Sequence, residues 1–212
     1  MRKIIFITGM LIGLAVFAQE IDYSIAANYQ YKYLRNSLQL KDTSLKVAWR
    51  EEVYDSRLKQ KVNLIVLNES YFTNISEPEK AVLGYLATFV GNECQWDGTP
   101  NSEQNNIKCK ILTALSMGYQ CSDANKEFFK KWFSESSDVM KEIESCKSTI
   151  FSASEQTSFK NISITTKDDV IKIKYTAIKA NISKQKMEDW TEELTFGLNN
   201  DKLDLLKRTK KK

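Results

Sequence analysis

The side chain that most often carries out acid–base chemistry in proteins is missing from this chain, because its 212 residues include no histidine. Histidine is required for Ser-His and Cys-His nucleophile pairs, for HExxH zinc sites and for imidazole general bases. The sequence also contains only seven glycines and no G-x-G-x-x-G or Walker-type loop with which to bind a phosphate. We therefore expect no metal and no cofactor. The catalytic candidates that remain are a carboxylate pair and two Ser-Lys segments.

A carboxylate pair near the middle of the chain is the strongest catalytic candidate. Glu93 follows a predicted helix, and Asp97 lies in the next loop beside Trp96. A carboxylic acid with a raised pKa and a second carboxylate are the groups that hydrolyse a glycosidic bond. An exposed glutamate followed by a turn-forming aspartate has the same sequence, and this ordinary arrangement is the better explanation.

Two segments match the S-x-x-K spacing of acyl-transfer enzymes, Ser56–Lys59 and Ser183–Lys186. Neither S-D-N nor K-T-G accompanies them. Because the chain is rich in serine and lysine, such matches arise by chance and do not predict an acyl-transfer site.

The loop that contains the carboxylate pair also offers a surface for recognition. Trp96, Asp97 and Asn101 lie in a polar stretch between Cys94 and Cys109. A cross-linked loop loses little entropy on binding, so an aromatic side chain at its base suits recognition of another protein. A tryptophan that closes the edge of the core is the simpler alternative.

The first eighteen residues have the pattern of a secretory signal peptide. Two basic residues precede a nearly continuous apolar run, residues 4–16, and Ala18 precedes the expected cleavage point at Gln19. The run is shorter than the ~20 residues that span a bilayer, which argues against a membrane anchor. We expect an exported protein, periplasmic or secreted, with no transmembrane segment once residues 1–18 are removed.

Because the protein is expected to be exported, its cysteines are expected to form disulfides. The chain has four, at Cys94, Cys109, Cys121 and Cys146. In an oxidising compartment four thiols favour two disulfides, and the absence of a C-x2-C pair argues against zinc. The order of the predicted helices favours Cys94 with Cys109 and Cys121 with Cys146.

Apolar residues recur at helical spacing through most of residues 19–150. The segment Ser76-Glu77-Pro78-Glu79 has the residue types of a capped helix start. Four helices are predicted around the cysteines: residues 76–92, residues 107–117, a helix capped by Ser122, and residues 137–147. Residues 22–40 also show near-helical spacing. Residues 45–67 suit a strand or a helix, and we favour a helix.

After Phe151 apolar residues recur at every second position, which indicates β-strands. Turns are predicted at residues 167–169, 181–186 and 199–201. The pattern predicts an antiparallel meander of about four strands over residues 151–206, with one face exposed and the other packed on the helical part. The fold class is therefore α+β, in which a disulfide-cross-linked helical part packs on a C-terminal sheet within one domain.

The formal net charge of +4 is concentrated at the C-terminus, because residues 207–212 contain five basic side chains. We interpret this segment as a solvated basic tail. Lys210, Lys211 and Lys212 would give weak electrostatic contact with an anionic surface. The rest of the chain mixes its charges, so no specific binding of nucleic acid is expected.

These features together predict an exported, non-enzymatic protein that binds another protein. An inhibitor or immunity-type partner of a secreted or periplasmic enzyme is one such role. The alternatives are a small histidine-free glycan hydrolase that uses Glu93 and Asp97, and a structural protein of the cell envelope.

Overall fold

The computed structural model describes residues 31–34, 45–55, 59–89, 107–117, 122–135, 137–145, 155–181 and 183–211. The strands in this part of the chain are β1 (Tyr31–Leu34), β2 (Leu45–Asp55), β3 (Gln60–Asn68), β4 (Glu155–Lys167), β5 (Val170–Asn181), β6 (Lys186–Asn199) and β7 (Lys202–Lys211). The helices are α1 (Glu69–Asn74), α2 (Glu77–Phe89), α3 (Ile107–Ala114), α4 (Asp123–Trp132) and α5 (Asp138–Glu144).

All the described strands belong to one seven-stranded sheet in the order β1-β3-β2-β4-β5-β6-β7. Every neighbouring pair is antiparallel except β1 and β3, which are parallel. Buried side chains from α2 to α5 and from the strands form one apolar core, so the helices cover one face of the sheet. We call that face the inner face. The architecture is a mixture of helices and a mainly antiparallel sheet.

The C-terminal strands follow directly from the period-two pattern. Along β5, Ile171, Ile173 and Tyr175 are buried, whereas Lys172 and Lys174 between them are exposed. The turn residues Asp168, Asn200 and Asp201 have φ of 52°, 48° and 60°. Asn and Asp tolerate this left-handed conformation better than most residues, which explains why the hairpins turn there. Residues 155–211 thus form four consecutive antiparallel strands, but the whole sheet has seven, more than predicted.

The additional strands correct two predictions. Residues 45–55 and 60–68 form β2 and β3 rather than a helix, and residues 31–34 form β1 within the predicted helix 22–40. The segment around β2 carries both patterns, and its position between β3 and β4 decides in favour of the strand. Tertiary pairing commonly overrides weak local preference in this way. The part that we expected to be mainly helical therefore supplies three strands of the sheet.

The helices around the core begin at the predicted caps. Ser76 and Glu79 form a reciprocal capping box, in which the Ser76 hydroxyl donates to the Glu79 carboxylate at 2.7 Å. The Ser122 and Ser137 hydroxyls each accept a hydrogen bond from the backbone N–H three residues later, at 3.2 and 3.1 Å. These bonds satisfy amides that have no partner within the helix. The predictions of helices α2 to α5 are confirmed.

The basic C-terminal segment is not a free tail in the part that is described. Lys207 to Lys211 lie in β7, and Lys211 pairs with Thr191 of β6. A run of basic residues looks like a solvated end, but alternate members of this run face opposite sides of a sheet. Residues 207–211 are therefore part of the sheet, although most of their side chains are exposed. Lys212 lies outside the described residues.

Of the four cysteines, the described residues include only Cys109. It is fully buried in α3 and is disulfide-bonded. Cys94, Cys121 and Cys146 lie outside the described residues, so both pairings stay predictions. Among the helices that are described, none is long and apolar enough to cross a membrane.

Candidate binding site

The residues that the sequence singles out for catalysis or binding lie outside the described part of the chain. These residues are Glu93, Trp96, Asp97 and Asn101. The carboxylate pair and the tryptophan loop therefore stay predictions. The signal peptide, residues 1–18, is likewise outside the described residues.

One of the S-x-x-K segments is described, and its geometry does not suit acyl transfer. Ser183 lies in the turn between β5 and β6, and its hydroxyl donates to the Asn181 side chain at 2.9 Å. The Lys186 ammonium is 2.5 Å from a Glu188 carboxylate oxygen. The serine and the lysine thus have separate partners and do not share a helix face. Ser56 of the other segment lies outside the described residues.

Five polar side chains meet between the helices and the inner face of the sheet. The Arg208 guanidinium donates a hydrogen bond of 2.9 Å to the Tyr85 hydroxyl, which donates one of 2.5 Å to Glu142. Arg208 nitrogens also lie 3.7 Å from a carboxylate oxygen of Glu142 and 3.5 Å from one of Glu192. The Tyr175 hydroxyl donates to Glu192 at 2.6 Å. We call these five residues the inner cluster.

The inner cluster joins elements that are distant in the chain. Tyr85 belongs to α2 and Glu142 to α5, whereas Tyr175, Glu192 and Arg208 belong to β5, β6 and β7. Glu192 is only 8% exposed, yet the cluster gives its carboxylate both a cation and a hydroxyl donor. A buried carboxylate without such partners would be strongly unfavourable. The cluster therefore fastens the helices onto the last three strands.

The same contacts make the inner cluster a poor catalytic site. Burial, and then the hydrogen bond to Glu142, raise the pKa of Tyr85 above its usual range. Burial and the hydrogen bond to Glu192 raise the pKa of Tyr175 in the same way. Both tyrosines stay protonated at neutral pH, and Arg208 already contacts two carboxylates. Each member of the cluster therefore already has a partner within it.

The opposite face of the same strands has a different character. A groove of about 580 Å³ lies across β5, β6 and β7 on the face that points away from the helices. Its uncharged lining includes the hydroxyl-bearing residues Thr176, Thr191 and Thr209. Trp190 also borders the groove, but its side chain packs against the core on the inner face. The Thr176 and Thr191 hydroxyl oxygens are 3.1 Å apart on paired strands. We call this surface the outer groove.

The charged residues of the outer groove are mainly basic. Lys174, Lys207 and Lys211 line it together with Asp189 and Glu193. Asp189 is 2.5 Å from the Lys160 ammonium, and this hydrogen bond lowers the pKa of the aspartate. Within the described part of the chain the three groove lysines have no carboxylate within 4.0 Å. The groove therefore offers three exposed ammonium groups and several hydroxyls to a ligand.

Sequence alternation positions the outer groove. Because Ile173 and Tyr175 point to the core, Lys174 and Thr176 must point to the opposite side. The same alternation holds in β6, where Glu192 and Leu194 point inwards and Glu193 points outwards. The sequence predicted an exposed face for this sheet but no binding surface on it. The alternation of apolar and polar residues that places these side chains on the outer face is visible in the sequence.

Chemistry beyond the groove is limited in the described residues. They contain no group of three or more acidic or cysteine side chains that would hold a metal ion. Comparison of the chain with protein-family models, curated protein sequences and solved structures finds no match. The function is therefore inferred from the chemistry of the outer groove.

Proposed function

We propose that the protein is an exported binding protein that recognises an acidic partner protein through the outer groove. The observation that carries the proposal is the contrast between the paired charges of the inner cluster and the exposed lysines of the outer groove. An exposed cationic surface with hydroxyl donors favours a partner that presents carboxylates. The role of an inhibitor or immunity-type partner of a secreted or periplasmic enzyme fits such a surface.

The shape of the outer groove supports a macromolecular partner. The lysines come from strands at both sides of β6, Lys174 from β5 and Lys207 and Lys211 from β7. A ligand that contacts all three has to extend across three strands, which are spaced about 4.8 Å apart.

The test compares two triple charge reversals in the mature protein. The first replaces the groove lysines, Lys174→Glu, Lys207→Glu and Lys211→Glu. The control replaces three exposed lysines in or next to turns, Lys59→Glu, Lys167→Glu and Lys184→Glu. Each protein is used to capture partners from envelope and culture-medium fractions, and affinity for a captured protein is then measured at low and high salt.

We expect the groove variant to lose at least about tenfold in affinity, because lysines that attract the carboxylates of the partner become glutamates that repel them. The control variant has the same net charge as the groove variant and should bind like the wild type. Binding of the wild type should weaken as salt rises. Equal losses in both variants, or a partner that the groove variant still binds normally, would contradict the proposal.

A further inference from the structure

The strand that carries two of the groove lysines is also the last strand of the sheet. β7 pairs with β6 on one side. On its other side, Phe133 forms an isolated bridge with Leu203, and the Lys202 ammonium donates to the Lys130 and Lys131 carbonyls at the end of α4. These contacts cover only the beginning of the strand. Within the described residues no element pairs with this side of β7 from Leu205 to Lys211.

An open strand edge presents unpaired backbone N–H and C=O groups, which invite pairing with another chain. Proteins often place lysines on such edges, since two copies of a basic strand repel each other. By this reasoning, the basic residues of β7 protect the protein against self-association. The same charge attracts an extended segment that is acidic.

The side chains on the outer face of β7 extend this complementarity. Lys207, Thr209 and Lys211 line the outer groove, and Leu206 lies beside them, packed over Gly197 and 63% exposed. By contrast Arg208 is held in the inner cluster, and the Lys210 ammonium lies 4.4 Å above the Trp190 ring. A strand added at this edge would place every second side chain next to the groove lysines.

We propose that β7 binds an extended acidic segment of the partner protein as an additional strand of the sheet. The inference rests on the proposed function and adds how the partner is held. Backbone hydrogen bonds to residues 205–211 supply the affinity. Acidic side chains at alternate positions, directed towards Lys207 and Lys211, supply the selectivity.

The experiment uses the mature full-length protein and three synthetic peptides of nine residues. The first alternates glutamate with valine. The second has the same sequence but carries N-methyl groups on alternate amides, so that one edge cannot form backbone hydrogen bonds. The third replaces glutamate by lysine. Affinity is measured by calorimetry, and hydrogen exchange of the amides of residues 205–211 is measured with and without each peptide.

We expect the acidic peptide to bind and to slow exchange of amides in residues 205–211. The N-methylated peptide should bind at least about tenfold more weakly, because several backbone hydrogen bonds are lost. The basic peptide should not bind. Lys207→Glu with Lys211→Glu should abolish binding of the acidic peptide, whereas Lys167→Glu with Lys184→Glu should leave it unchanged.

Three results would overturn strand addition. If the N-methylated peptide binds as well as the acidic peptide and exchange in β7 does not change, the lysines recognise charge without adding a strand. In that case the proposed function stands if the partner still depends on the groove lysines. If no peptide binds, or if anionic lipid vesicles bind in the same way and compete with the acidic peptide, recognition of an acidic strand is wrong.

Discussion

The two faces of β5, β6 and β7 use the same kinds of residue in opposite ways. On the inner face, Arg208 contacts two carboxylates and a tyrosine, and Glu192 is almost fully buried. On the outer face, Lys207 and Lys211 are exposed and line a groove. Residues 207 and 208 are neighbours in sequence, so the side of the sheet that each one faces decides its role. Charge composition alone therefore does not reveal what a basic segment does.

The comparison is tested most strongly by removing one charge from each face. Arg208→Met leaves the Glu192 carboxylate buried with Tyr175 as its only described partner. We expect the free energy of unfolding to fall on the order of 3 kcal/mol, because an uncompensated buried charge is costly. Lys207→Met is the matched control, and we expect a change below about 0.5 kcal/mol. Urea unfolding measures both, and equal effects would refute the distinction between the faces.

Alkaline pH should lower the free energy of unfolding through the two tyrosines of the inner cluster. The folded-state pKa values of Tyr85 and Tyr175 are raised, so the stabilisation is complete below the unfolded value of 10.0 and is lost as pH rises above it. Each tyrosine should steepen the loss of stability by up to about 1.4 kcal/mol per pH unit above pH 10.

The measurement is urea unfolding between about pH 9 and pH 11, where unfolded tyrosines begin to ionise. Tyr85→Phe combined with Tyr175→Phe should flatten the pH dependence. Tyr54→Phe is the control, since Tyr54 is 66% exposed. A double variant whose stability falls as steeply as that of the wild type would show that these hydroxyls do not hold the cluster together.

A third buried tyrosine, Tyr71, extends the comparison. Among the described residues, its hydroxyl lacks hydrogen-bond partners of the kind that the inner cluster gives to Tyr85 and Tyr175. Tyr71 is 6% exposed, and within the described part of the chain its hydroxyl has no hydrogen-bond partner. Removing an unsatisfied buried hydroxyl should be favourable. We expect Tyr71→Phe to raise the free energy of unfolding by roughly 1 kcal/mol, whereas Tyr85→Phe should lower it. Thermal unfolding of the two variants checks the signs, and destabilisation by Tyr71→Phe would contradict this account.

Local signals in the sequence were sufficient for the helices and the C-terminal hairpins. The Ser76–Glu79 capping box and the Asn200-Asp201 turn depend on bonds and dihedral angles within a few residues. Residues 45–67 carried both a strand pattern and helix-compatible charges, so only the pairing of β2 with β3 and β4 could decide between them.

The inner cluster could not be predicted, because its contacts are not local. Arg208 and Tyr85 are 123 residues apart, and nothing near Arg208 distinguishes it from the lysines around it. The outer groove was partly predictable. Alternation in β5 and β6 assigns Lys174 and Glu193 to an exposed face, but it does not indicate that residues of β5, β6 and β7 together line a groove.

The most direct test of the central claim measures stability and partner binding together in the two triple charge reversals. We predict that Lys174→Glu, Lys207→Glu and Lys211→Glu abolish binding of the partner while the unfolding midpoint in urea stays close to that of the Lys59→Glu, Lys167→Glu and Lys184→Glu control. If the groove variant binds the partner normally, or loses binding only because it unfolds, the outer face is not the binding surface.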